Sequence, residues 1–175
     1  MGQRTGRALV SMLAVSMTLS AGAFVGFGEA ASASGLAHLT FDDGALRTVS
    51  FDATRRRDNT VHGHVSIQDR TPIPSQDVDG TGDPELAESS SGLDLTARVE
   101  CLVVEGRRAV VGGRITHADV GRYVGKYVFL FVEDKGREAA RLNWGFYDAG
   151  AGVSCESFPG AALVEVTGGG VKVSP

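Results

Sequence analysis

The sequence predicts an all-β protein, an antiparallel meander of about eight strands that closes into a small barrel, with a two-sheet β-sandwich as the alternative. Three observations predict it. Apolar residues recur with a period of two along most of the chain, short clusters of Gly, Asp and Asn separate these runs, and nothing beyond the N-terminal leader has helical period. Glycine, 24 of 175 residues, is also too frequent for a helical protein. A lone sheet with one apolar face would leave that face wet and two edges open, so closure is expected.

The hairpin at the centre carries the pattern most clearly. Leu93, Leu95, Ala97, Val99, Cys101 and Val103 alternate with Asp94, Thr96, Arg98 and Glu100, which predicts one buried face that includes Cys101. Glu105-Gly106-Arg107 turns the chain, and Ala109, Val111 and Ile115 lead back. Upstream, Ala37, Leu39 and Phe41 precede the turn Asp42-Asp43-Gly44. Val49, Phe51 and Ala53 then lead to Arg57-Asp58-Asn59, where Asn59 tolerates a left-handed backbone, and Val61, Val65 and Ile67 complete a three-strand meander. Downstream, Tyr123 to Glu133 is apolar on both parities, as in a strand buried on both faces. After the turn Glu133-Asp134-Lys135-Gly136 come Leu142, Trp144 and Phe146, then a Gly/Ala loop that delivers Cys155. A final hairpin is expected from Ala162, Val164 and Val166, through Gly168-Gly169-Gly170, to Val171 and Val173.

Arg4 and Arg7 precede an uncharged run from Ala8 to Phe27, and Ala31-Ser32-Ala33 offers small residues for cleavage. Residues 1–33 therefore read as a signal peptide, leaving 34–175 as a single β domain, secreted, that touches a membrane only through its leader. The formal net charge is −4 and no broad basic field exists, so nucleic acid is not an expected partner. Arg far outnumbers Lys, and Ala, Gly and Val are abundant, which points to a bacterial source with high-GC coding. The only two cysteines, Cys101 and Cys155, are expected to form a disulfide in an exported chain, worth about 4 kcal/mol for so long a loop.

Three segments, SFDATRRRDNTVHGHVSIQDR, VECLVVEGRRAVVGGRIT and FVEDKG, resemble a recurrent family of small exported β-proteins of high-GC Gram-positive bacteria. The matching positions are Phe51, Gly63, Cys101, Leu102, Val104, Gly106, Ala109, Gly112, Gly113, Val132, Asp134 and Gly136. Asn59 stands where a turn Gly would be more usual. These are turn and core positions, so the resemblance implies an exported β-protein and brings no catalytic residue with it.

The segment between Thr71 and Gly92 breaks the alternation, being rich in Pro, Gly and Asp. Within it, Asp77, Asp79, Thr81, Asp83 and Glu88 fit much of a calcium loop, with acids at the first, third and last positions and Gly80 at the sixth. Thr81 and Pro84 depart from the pattern, and flanking helices are missing. His62 and His64 share one strand face and would need a third ligand such as His38, His117 or Asp119 to hold a metal. Val61, Val65 and Ile67 occupy the opposite face, so the two histidines read first as the polar side of an ordinary strand. No nucleophile elbow or local triad occurs, and no catalytic residue is assigned. Tyr123, Tyr127, Phe129, Phe131, Trp144, Phe146 and Tyr147 either line a ligand cavity or fill the core.

The expected function is that of a secreted, non-catalytic binding or surface-interaction module stapled by a disulfide. Its partner would be a small apolar ligand or a cell-envelope component held at the aromatic end of the barrel. The alternatives are a calcium-dependent module built on residues 77–88, which would make Ca²⁺ its cofactor, and a small exported enzyme with a site in the barrel mouth.

Overall fold

Most predicted alternations become strands in the computed structural model, which describes residues 30–70, 92–149, 154–156 and 162–175; of the run from Tyr123 to Glu133 only Tyr127–Glu133 is strand. The strands are β1 (Ala31–Thr40), β2 (Leu46–Arg55), β3 (Val61–Asp69), β4 (Leu93–Glu105), β5 (Arg108–Ala118), β6 (Tyr127–Glu133), β7 (Arg141–Tyr147) and β8 (Val164–Ser174). Every strand is antiparallel to the next, and β8 pairs back onto β1, so the ring is closed. One turn of 3-10 helix, Gly121–Tyr123, lies between β5 and β6. The calcium-loop residues Asp77, Asp79, Thr81, Asp83 and Glu88 fall outside the described residues.

The turns form where the sequence supplies residues that accept a positive φ. Gly44 (φ 73°), Gly106 (φ 61°) and Gly136 (φ 73°) do so in three of them. Asn59 does it in the β2–β3 turn with φ 64°, the one non-glycine among the described residues to adopt this conformation. It thus performs the task that Gly usually performs in such a turn. The β2–β3, β4–β5 and β6–β7 turns lie at one end of the ring, here the lower end. The β1–β2 turn and the connections β3–β4, β5–β6 and β7–β8 lie at the upper end.

The interior is a packed apolar core. Leu39, Val49, Ile67, Leu95, Val111, Leu130 and Leu142, one from each of β1 to β7, are fully buried. A side chain with no accessible surface lines no water-sized void, so the middle of the ring is filled. Among the described residues no polar or charged side chain is fully buried. At the lower end Arg55 follows the inward parity of Phe51 and Ala53, and its guanidinium donates to the Leu102 carbonyl (3.4 Å).

Three expectations are corrected. Cys101 does not face the interior: a bulge between Val99 and Cys101 adds one residue to β4, so Leu102 and Val104 turn inward while Cys101 and Val103 turn outward. The Gly168-Gly169-Gly170 run does not turn a hairpin. It continues as β8 along β1, with a bulge opposite His38 and Leu39, and Gly169 at φ 90° lies so close to the Leu36 carbonyl that a Cβ has no room. The aromatic residues do not form one group but two, on opposite sides of the sheet.

The seam between β7 and β8 is the weakest part of the ring, with only Arg141↔Glu165 and Leu142↔Val164 in register. Asp134 compensates at the lower end. Its Oδ1 accepts from the Gly136 N–H (2.7 Å) and from Arg107 (3.0 Å), and its Oδ2 accepts from the Val173 N–H (3.3 Å). One carboxylate thereby ties the β6–β7 turn, the β4–β5 turn and β8 together. Burial opposes its charge, yet the N–H groups of Gly136 and Val173 and the Arg107 guanidinium hold its carboxyl below the ordinary aspartate value of 3.8. Because the folded-state value is depressed, the stability it contributes is full above the ordinary aspartate range. It is lost as pH falls through the lowered value. Asp134→Asn should cost about 2 kcal/mol at neutral pH, and should flatten the acid limb of melting temperature against pH. An unchanged acid limb in the variant would contradict this role.

Candidate functional site

The upper rim combines aromatic and charged side chains at the top of an otherwise apolar barrel. Arg47 on β2 and Asp69 on β3 are register partners that end two inward-facing columns, Arg47 above Val49 and Asp69 above Ile67. Arg47 Nε donates to Asp69 Oδ2 at 2.7 Å, and its Nη atoms donate to both oxygens of Asp43 in the β1–β2 turn, the shorter at 2.6 Å. The side chain is only 12% exposed. Asp43 first, and then Asp69, raise the Arg47 pKa against the desolvation that opposes them, so the guanidinium stays charged. Arg47 and the Ala45 N–H in turn lower the Asp43 carboxyl.

This fixed guanidinium stacks on Phe41, 4.4 Å from the ring centroid. Phe41 meets Trp144 edge to face at 5.5 Å, while Phe146, two residues along β7 on the same face, packs on Tyr123 at 5.0 Å. Phe41, Trp144, Phe146, Tyr123 and Val164 are all half-buried and rest on the main core. The rim therefore presents ring faces and edges beside a charge that cannot swing away. It can hold an apolar or flat ligand surface and orient a polar group of that ligand.

The other aromatic group lies on the outer face of the ring. Phe129 and Phe131 are buried with Cys155, flanked by Cys101, Val103, Val110, Tyr127, Tyr147 and Leu163. The disulfide Cys101–Cys155 fastens Cys155 to this surface. Gly112 makes the space, since a Cβ there would lie 2.5 Å from Cys101 Sγ and 2.6 Å from the Phe129 ring. This explains why β6 reads as apolar on both parities: Val128, Leu130 and Val132 face the interior, and Phe129 and Phe131 pack with Cys155 on the outer face. Beside it lies a depression of about 200 Å³ lined by Val103, Glu105, Arg108 and Glu156.

His62 and His64 are exposed on the outer face of β3, where His64 Nδ1 lies 3.7 Å from Asp52 Oδ1. His38 bonds Thr48 Oγ1 at 3.1 Å, and the Asp119 carboxylate accepts the Asp94 N–H at 3.0 Å. His117 is the register partner of Thr96. Two of the candidate third ligands are thus engaged elsewhere, and among the described residues no three metal-ligating side chains converge. Sequence reading missed Arg47, Asp69 and Phe41 as site residues. The available signal was a charged residue at each end of an inward-facing column, Arg47 and Asp69, with opposite signs.

Comparisons with protein-family models, with curated proteins and with solved structures each yielded no match.

Proposed function

We propose that the protein is a secreted binding module that holds a small apolar ligand or a cell-envelope component against its upper rim. The observation that carries this reading is the Arg47-Phe41-Trp144 arrangement, partly open to solvent above a filled interior. A filled interior favours a rim site over an enclosed one. Among the described residues no wholly buried side chain is polar, and the one buried polar atom without a partner, Arg55 Nε, lies at the lower end away from this rim, which favours binding over catalysis.

Trp144 is the only tryptophan in the chain, so its emission reports on this rim and nowhere else. Titration with palmitate should quench or blue-shift it saturably, and wall sacculi should co-sediment the protein if the ligand belongs to the envelope. Arg47→Ala or Phe41→Ala should weaken the response about tenfold, equivalent to roughly 1.4 kcal/mol. Flat emission together with no co-sedimentation would sink the reading.

A calcium-dependent form of the same module is the second reading. Arg70 and Gly92, which flank the acidic segment, meet at this rim, because a Cβ on Gly92 would fall against the Asp69 carbonyl and the Arg70 Cα. The two described residues that bracket the acidic segment, Arg70 and Gly92, therefore lie beside Asp69 of the proposed site. After chelation, added Ca²⁺ should raise the melting temperature, and Asp77→Ala or Glu88→Ala should abolish the rise. No rise in the parent protein rejects this form and leaves the metal-free module standing.

A further inference from the structure

The place where the leader ends is fixed more tightly by β1 than by the cleavage motif. Ala31-Ser32-Ala33 offers the best run of small residues, and cutting after Ala33 is what the sequence alone suggests. Yet those three residues are the first three of β1, all laddered to β2 and the last two also to β8. Ala31, Ser32 and Ala33 pair with Arg55, Thr54 and Ala53 of β2, and Ser32 and Ala33 pair with Ser174 and Val173 of β8. Ala31 and Ala33 also point inward and are buried. Removing them would strip the lower end of β1 from between its two neighbours. The backbone groups of Thr54 and Ser174 would lose their partners, at the end of the ring where Asp134 already has to hold β8 in place.

Resting on the export reading above, we infer that processing cuts the Ala30–Ala31 bond, so that the mature chain begins at the first residue of β1. Gly28 and Ala30 supply small residues at the third and first positions before that bond, and Ala30 is exposed and lies outside the strand. Glu29 occupies the corresponding third position for a cut after Ala31 and disfavours it. The reaction is hydrolysis by the leader peptidase of the export machinery. Water adds across the amide, leaving the leader with the Ala30 carboxylate and the domain with a free amine on Ala31. The mature chain then keeps every register pair of β1.

The test is to express the full chain in an exporting bacterium, collect the protein from the medium, and determine its intact mass and N-terminal sequence. A chain beginning at Ala31 is the expected result, and Ala30→Gln should abolish that product. A start at Ser34, or an Ala30→Gln product identical to the parent's, overturns the assigned bond while leaving export intact. Retention of a chain beginning at Met1 overturns both the bond and the export reading. A chain starting at Ser34 should also melt roughly 5–10 °C below one starting at Ala31, and equal melting temperatures would remove the structural reason for the assignment.

Discussion

Gly63→Ala should destabilise the barrel by more than about 3 kcal/mol, a large part of the stability of a domain this size. Gly63 holds an inward position on β3 opposite Ala53, with φ 147°, a backbone conformation that L side chains rarely adopt. A Cβ there would fall onto the Asp52 carbonyl and close to the Ala53 Cα. Both atoms belong to the β2–β3 ladder, so the clash cannot be relieved by rotating a side chain. Gly44→Ala is the informative companion. It also has positive φ, 73°, but nothing lies near its added methyl, so only the left-handed backbone penalty of about 1 kcal/mol is expected. Thermal unfolding of both variants followed by circular dichroism separates steric from conformational cost, and equal losses would mean that β2 and β3 do not approach as described.

The second large effect is loss of the disulfide. Cys101 and Cys155 are separated by 54 residues, and opening that loop should cost about 4 kcal/mol and lower the melting temperature by roughly 10 °C. The double variant Cys101→Ala/Cys155→Ala should keep the strand signature, because the ladders of β1 to β6 do not depend on the bond. It should gain binding of a hydrophobic dye, since Phe129 and Phe131 are buried with Cys155 on the outer face. A melting temperature within about 2 °C of the parent would show that the packing around position 155 does not depend on the bond.

Strands and turns were legible in the sequence because alternation and positive-φ residues act locally. Asn59, Gly106 and Gly136 mark turns wherever the chain around them goes. What was not legible depends on the neighbouring strand. The bulge after Val99 reverses the parity of β4, so unbroken alternation assigned Cys101 to the wrong face. The triple glycine resembles a hairpin turn, but its lack of side chains serves close contact with β1 at Leu36. The double apolar parity of β6 did signal a second buried surface, and the Gly112 that faces Phe129 was its companion signal. At the upper rim, Trp144 was visible as the single tryptophan, whereas the Arg47-Asp69 pair emerges only when two distant strand ends are brought into register.

The most direct test of the central claim, that this barrel binds at its rim and not within, is to map backbone amide shifts by NMR during a palmitate titration. The account predicts saturable shifts at Phe41, Arg47, Tyr123, Trp144 and Phe146, with the inner amides of Ala53, Val65 and Val132, away from that rim, unmoved. Shifts concentrated on those inner residues, or around Phe129 and Cys155 on the outer face, would contradict it.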